Sequence, residues 1–146
     1  MKANLNLQNC KEFMMTSTLD WAKYPNFSRV EFQCKYTKEC NMHPDLMDIL
    51  QSMRTELAKP IFISSGFRSV KHPVEQDKDK PGEHTLGMAV DIICYGARAL
   101  ELIKMAQARN VRRIGVHQKG NPKGRFIHLG IADRFTLEFP VAIWTY

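Results

Sequence analysis

The chain has 146 residues, which suits one domain built on one core. Hydrophobic residues make up 44% and charged residues 25%, the balance of a soluble globular protein; no apolar run approaches the ~20 residues that span a bilayer. The formal net charge of +6 points to an anionic partner: nucleic acid, a membrane surface, or a carboxylate- and phosphate-bearing cell wall.

Residues 1–25 are polar with scattered aromatics, Tyr24-Pro25-Asn26 reads as a turn, and the segment is expected to wrap the domain without adding a core layer. Ser28 with Glu31 three later resembles a capping box for one helical turn. A polar loop, 34–41, follows. His43-Pro44-Asp45 opens the clearest helix, Pro44 and Asp45 suiting a first turn. Leu46, Ile49, Leu50, Met53 and Leu57 recur at helical spacing, and Lys59-Pro60 ends it. Residues 61–64 are a short strand. At its end, Ser65-Gly66-Phe67-Arg68-Ser69 is a turn of the kind that often carries functional groups. Residues 70–83 form a loop as long as ordinary loops get, hence mobile or part of a site. Residues 88–93 read as a buried strand. Residues 97–109 form a second helix with Leu100, Ile103 and Ala106-Gln107 facing inward. Residues 113–117 and 125–131 are paired strands around a hairpin loop at 120–124. In the second of these, His128 shares a face with Phe126 and Gly130. The apolar tail, 139–146, packs back on the domain. The predicted class is α+β, one domain with a mainly antiparallel sheet flanked by helices.

Basic residues cluster at Arg109, Arg112 and Arg113 and at Lys119, Lys123 and Arg125, but no run has the length of a nucleic-acid tail. The N-terminus lacks an apolar h-region, so no secretory signal is expected and the product should begin life in the cytoplasm. The four cysteines, Cys10, Cys34, Cys40 and Cys94, are then expected as free thiols. Cys34 and Cys40 do not match a CxxC motif, and a structural zinc there needs two more ligands, with His43 the one nearby. Cys94 extends an apolar run and reads as a buried small hydrophobe.

The chemistry concentrates in His84-Thr-Leu-Gly-Met-Ala-Val-Asp91. An Asp inside a buried strand is expensive unless its charge is compensated. A cation does this, and imidazole and carboxylate are ordinary zinc ligands. The same spacing also suits a hydrogen-bonded structural His–Asp pair. Gly87 lets the backbone turn so that the two side chains converge. His128 would complete three ligands and leave one zinc position free for a water whose pKa falls toward ~7. Arg68 offers a positive fork to a substrate carboxylate or a developing oxyanion. That combination is the chemistry of metal-assisted amide hydrolysis.

These residues belong to a longer ordered pattern. It comprises Phe27-Ser-Arg-Val-Glu-Phe32, Ser65-Gly-Phe-Arg68, His72-Pro73 to Glu75, Pro81-Gly82, His84-x-x-Gly87-x-Ala89-x-Asp91, Phe126-Ile-His128 and Trp144-Thr-Tyr146. On these motifs the chain resembles the M15 zinc peptidases, which include D-Ala-D-Ala carboxypeptidase-like enzymes, and looks most like the small phage-type members that serve as endolysins. The resemblance implies an M15-like domain over 27–146 with 1–26 as an extension packed on it. It implies a hedgehog/DD-peptidase-like fold, with His84, Asp91 and His128 as ligands of Zn2+. Arg68 would contact the substrate or polarise its scissile carbonyl. The implied partner is a peptidoglycan stem peptide, with no nucleic acid and no membrane insertion. The implied protein is a bacteriolytic monomer, made in the host cytoplasm and acting on the wall after release.

Two positions depart from that pattern. Many relatives carry a general base as Glu three before, or His two before, the last zinc ligand; Arg125 and Phe126 stand there in this chain. Many phage relatives carry an acidic residue two after that ligand, where this chain has Gly130. By type, the base falls to Glu75, Glu83 or His117. The leading expectation is a zinc-dependent peptidoglycan peptidase cutting an L-Ala–D-Glu or a D-amino-acid bond by zinc-activated water. The missing base keeps a second open, a non-catalytic zinc-stabilised wall-binding or virion module. A basic nucleic-acid-binding protein is the third, and it predicts salt-sensitive DNA binding that survives zinc removal.

Overall fold

In the computed structural model, which describes residues 18–146, Leu19 and Trp21 pack against the core and Tyr24 is buried in it. Helix α1, Arg29–Phe32, starts at a capping box, the Glu31 carboxylate accepting from the Ser28 N–H at 2.7 Å. Helix α2, Pro44–Leu57, starts with the His43 ring accepting from the Asp45 N–H. It buries Leu46, Met47, Ile49, Leu50, Met53 and Leu57. It stops at Ala58, which takes a left-handed conformation ahead of Lys59-Pro60. Strand β1 is Phe62–Ser65, helix α3 Pro73–Gln76, β2 Ala89–Ile93 and helix α4 Gly96–Ala108. Strands β3, Arg113–His117, β4, Phe126–Gly130, and β5, Ala142–Thr145, complete the chain.

The five strands form one sheet in the order β1-β2-β4-β3-β5. β1/β2, β2/β4 and β4/β3 pair antiparallel, and β5 joins β3 parallel. The α+β class with a mainly antiparallel sheet is therefore what the chain adopts, and the apolar tail packs back as a strand. Side chains alternate across the sheet. Val90, Ile92, Ile114, Ile127 and Leu129 bury one face in a core shared with Leu50 and Met53 of α2 and Leu102 and Ala106 of α4. Helix α4 lies against both α2 and β4. The other face carries a single row across all five strands: Ser65, Asp91, His128, Gly115 and Trp144.

Two expectations need correction. Leu100 is 61% exposed, and the inward stripe of α4 is Ala99, Leu102, Met105 and Ala106. Of the expected inward residues, Ala106 is buried and Ile103 packs partly against the core, whereas Leu100 points outward and the small Ala99 beside it takes the buried position. The 70–83 loop also contains α3, started by the His72 ring accepting from the Val74 N–H. Cys34, Cys40 and Cys94 are free thiols, with Cys94 buried and its thiol pushed up by burial to about 11. Cys10 lies outside the described residues. Among those residues no helix is long and apolar enough to cross a membrane.

Candidate metal centre

A bulge in β1 sets the first residue of the site. The register slips between Ile63 and Ser65, so Ser65 rather than Ser64 stands opposite Asp91. The Ser65 hydroxyl accepts from Arg68 Nε at 3.1 Å. The Arg68 N–H donates to the His84 carbonyl, tying this turn to the next loop. The Arg68 guanidinium then donates to Asp91 Oδ2 at 3.2 Å and lies 3.7 Å from the Glu75 carboxylate.

His84 comes from a tight turn. The Thr85, Leu86 and Gly87 N–H groups bond back to the Gly82, Glu83 and His84 carbonyls. Gly87 has φ +67°, a left-handed conformation that glycine adopts without steric cost. Its carbonyl accepts from the His43 N–H at 2.9 Å, anchoring the turn to the start of α2. His84 Nδ1 is 2.7 Å from the Gly66 carbonyl. A carbonyl can only accept, so Nδ1 carries a proton and Nε2 is the nitrogen turned to the site. That Nε2 lies 3.4 Å from Asp91 Oδ1. His128, directly opposite Asp91 on β4, places Nδ1 3.0 Å from the same oxygen and Nε2 2.8 Å from Glu83 Oε2.

His84, Asp91 and His128 are all buried, and one donor atom from each lies within 4.8 Å of the others. Among the described residues this is the group of His, Cys, Asp and Glu side chains able to hold a metal ion; Cys34, Cys40 and His43 form no such group. Two imidazoles and a carboxylate suit zinc. Each imidazole has its far nitrogen fixed by an oxygen acceptor, as ligating histidines usually do. The residues present therefore fit the metal.

Burial pushes the Asp91 carboxyl up, but hydrogen bonds from His128 and His84, and their charge, outweigh it and hold it well below the usual carboxylate range. Burial pushes His128 down, and the hydrogen bonds to Asp91 and Glu83 more than reverse this, raising it above its ordinary value. The pocket thus favours positive charge between its carboxylates.

Aromatic residues flank the centre. The Trp144 ring lies 4.9 Å from the His128 ring, and Tyr146 lies 5.0 Å from Phe126. Glu31, Lys35, Arg68, Asp91 and Phe126 line an open cleft of ≈ 340 Å³ beside the centre.

The three residues considered as a base occupy different places. The Glu75 side chain is buried in α3 and ion-paired to Lys78 at 3.0 Å, so it reaches Arg68 and not the histidines. Burial pushes its carboxyl up, but Lys78, the Gly82 N–H and Arg68 together lower it. Glu83 turns inward onto His128. His117 stacks on Phe126, and its Nδ1 is buried with no hydrogen-bond partner among the described residues. Arg125 bonds the Gly120 carbonyl, and Phe126 lines the cleft. Sequence reasoning missed Arg113, whose Nε donates to Glu83 at 2.6 Å, and gave Ser65 and Trp144 no role. Strand alternation was the available signal for Arg113, because Arg113, Gly115 and His117 share the face of His128.

A family model described as Peptidase M15 matches residues 25–130, a span that contains Arg68, His84, Asp91 and His128. No curated protein matches the chain.

Proposed function

The chain belongs to the M15 peptidase family, and from that membership we propose that it is a zinc-dependent peptidase cutting an amide bond in the stem peptide of peptidoglycan. The observation that carries this reading is the buried His84–Asp91–His128 donor set, with Arg68 bonded to Asp91 at the wall of an open cleft.

When bound, zinc supplies Lewis-acid activation of water and of the scissile carbonyl. His84, Asp91 and His128 hold it. The Gly66 carbonyl fixes the His84 ring in the tautomer that leaves Nε2 free to bind. Ser65 and Glu75 restrain the Arg68 guanidinium, which offers its charge to a substrate carboxylate or to the oxyanion that develops on the carbonyl. Phe126, Trp144 and Tyr146 give the peptide an apolar wall beside the centre. The charge of +6 supports approach to an anionic wall, as expected of a phage-type lysin made inside a host and acting once released.

One observation favours a second reading, a metal-stabilised module that binds wall peptides without cutting them. Glu75 and Glu83 are both committed to ion pairs, and His117 packs among aromatics. The two readings separate in one experiment. Purified protein is assayed for zinc and incubated with a synthetic stem pentapeptide, and the products are weighed by mass spectrometry. One zinc per chain with two peptide fragments supports the peptidase. Full zinc occupancy with intact peptide supports the binding module.

A further inference from the structure

Building on the zinc-binding reading above, we infer that Glu83 is a positioning carboxylate of the metal centre, holding His128 by Nε2 through space that Gly130 leaves open. Residue 130 is two along β4 from His128 and so faces the same side of the sheet. A Cβ at Gly130 would lie 2.5 Å from both carboxylate oxygens of Glu83. With Glu83 in place no side chain fits there, because its carboxylate takes the space that one would fill.

Every contact of this carboxylate is made inside the protein. Glu83 is 5% exposed. Oε2 accepts from His128 Nε2 at 2.8 Å, and Oε1 accepts from Arg113 Nε at 2.6 Å and from the Ala132 N–H at 3.4 Å. A buried carboxylate is costly without such a partner. Arg113 is itself braced between the Phe139 and Trp144 rings, 5.2 and 5.4 Å from their centres, and donates to the Pro140 carbonyl. The Glu83 backbone is equally fixed, its carbonyl accepting from the Leu86 and Met88 N–H groups. The side chain is therefore held away from the cleft, and its chemistry acts through His128. It accepts the Nε2 proton, which leaves Nδ1, the nitrogen beside Asp91, to the metal, and a carboxylate behind an imidazole raises the basicity of the ligand. Because Glu83 adjoins His84, one short turn delivers one ligand and orients another.

Relocating the carboxylate tests this. Zinc affinity is measured by competition with a chromophoric chelator for the parent, Glu83→Gln, Glu83→Ala, and Glu83→Ala combined with Gly130→Asp. The double variant removes the long side chain and returns a carboxylate to the same space from β4. The metal-free thermal midpoint and the visible spectrum of the cobalt-loaded protein serve as controls on fold and ligand geometry. Both single variants should bind zinc about 10–100-fold more weakly, and the double variant should recover most of the loss with a parent-like cobalt spectrum. Glu83→Gln keeps the shape should the alanine variant not fold. Parental zinc affinity in Glu83→Gln with hydrolysis lost would make Glu83 the general base and overturn the inference. So would a folded double variant with no recovery. The readout is metal affinity, so a parent that binds zinc but cuts no peptide contradicts the peptidase reading alone, whereas a parent that binds no zinc overturns both.

Discussion

Arg68 donates to Oδ2 of Asp91 at 3.2 Å, which leaves Oδ1 to the two histidines. A carboxylate buried in the middle of a sheet is thus balanced by a permanent charge on one oxygen and by imidazoles, or the metal they would hold, on the other. Arg68 also lines the open cleft beside the centre, which on the proposed reading takes the peptide. The Arg68→Ala variant should still take up one zinc, because all three ligands remain. Its turnover should fall about 10²-fold or more, the scale of losing a group that stabilises a developing oxyanion. Metal analysis beside a peptide-hydrolysis assay decides this: loss of the metal, or activity within a few-fold of the parent, would remove the role given to Arg68.

Asp91→Asn keeps the shape of the side chain and removes its charge. Zinc content should fall well below one per chain, and hydrolysis should be lost with it. His128→Ala should do the same by removing a nitrogen ligand. Metal content is read by atomic emission and activity on the same sample. A variant that carries no zinc and cuts at the parental rate would end the zinc account.

The metal-free protein should have an acid-side stability optimum. His128 is raised above its unfolded value of about 6.5 by Asp91 and Glu83, so the folded chain keeps a proton that the unfolded chain has released. That contribution is complete below about pH 6.5 and is lost as pH rises through the raised folded value. Asp91 is lowered, so its contribution is present above its unfolded value of about 3.9 and is lost as pH falls through the folded one. The melting temperature in chelator should therefore fall on going from pH 6 to pH 8. Zinc replaces the His128 proton and should abolish that fall. A metal-free melting temperature that climbs over the same range would contradict the assignment of charge in the pocket.

Gly115 is where Trp144 crosses the sheet. A Cβ there would lie 2.7 Å from the indole, too close for any side chain without a shift of the ring. Gly115→Ala should push Trp144 off His128, destabilise the protein by about 1–3 kcal/mol, and move the tryptophan emission to the red. Urea denaturation followed by fluorescence measures both. An unchanged midpoint and spectrum would mean that the packing of Trp144 on β3 has slack.

The sequence carried the candidate donor pattern because its parts are local. His84, Gly87 and Asp91 lie within one turn and one strand, and the capping residues Ser28, His43 and Pro44 announce their helices directly. Strands β1 to β4 were legible from β-branched runs between turn residues, whereas β5 reads in the sequence only as an apolar tail. What was not legible depends on register. Ser65 enters the site only because β1 bulges, and Arg113 only because β3 pairs with β4 so that Gly115 faces His128. Glu83 and Gly130 are 47 positions apart in the chain; one stands out as a candidate base and the other as a departure from the family pattern, and nothing in the sequence links them. Their contact explains both, since the glycine makes room for the carboxylate. Leu100 was misplaced on α4 because the small Ala99, not the larger Leu100, faces the core, while Ala106 was placed correctly.

Digestion of purified peptidoglycan tests the central claim most directly. Zinc-loaded protein is incubated with sacculi, with and without a chelator, and the released fragments are weighed. The account predicts release of stem-peptide fragments that stops with the chelator and returns with added zinc, the masses identifying the bond. Release that continues unchanged in chelator would contradict zinc-dependent hydrolysis. No release from intact, zinc-loaded protein would contradict the peptidase and leave a wall-binding module held together by its metal.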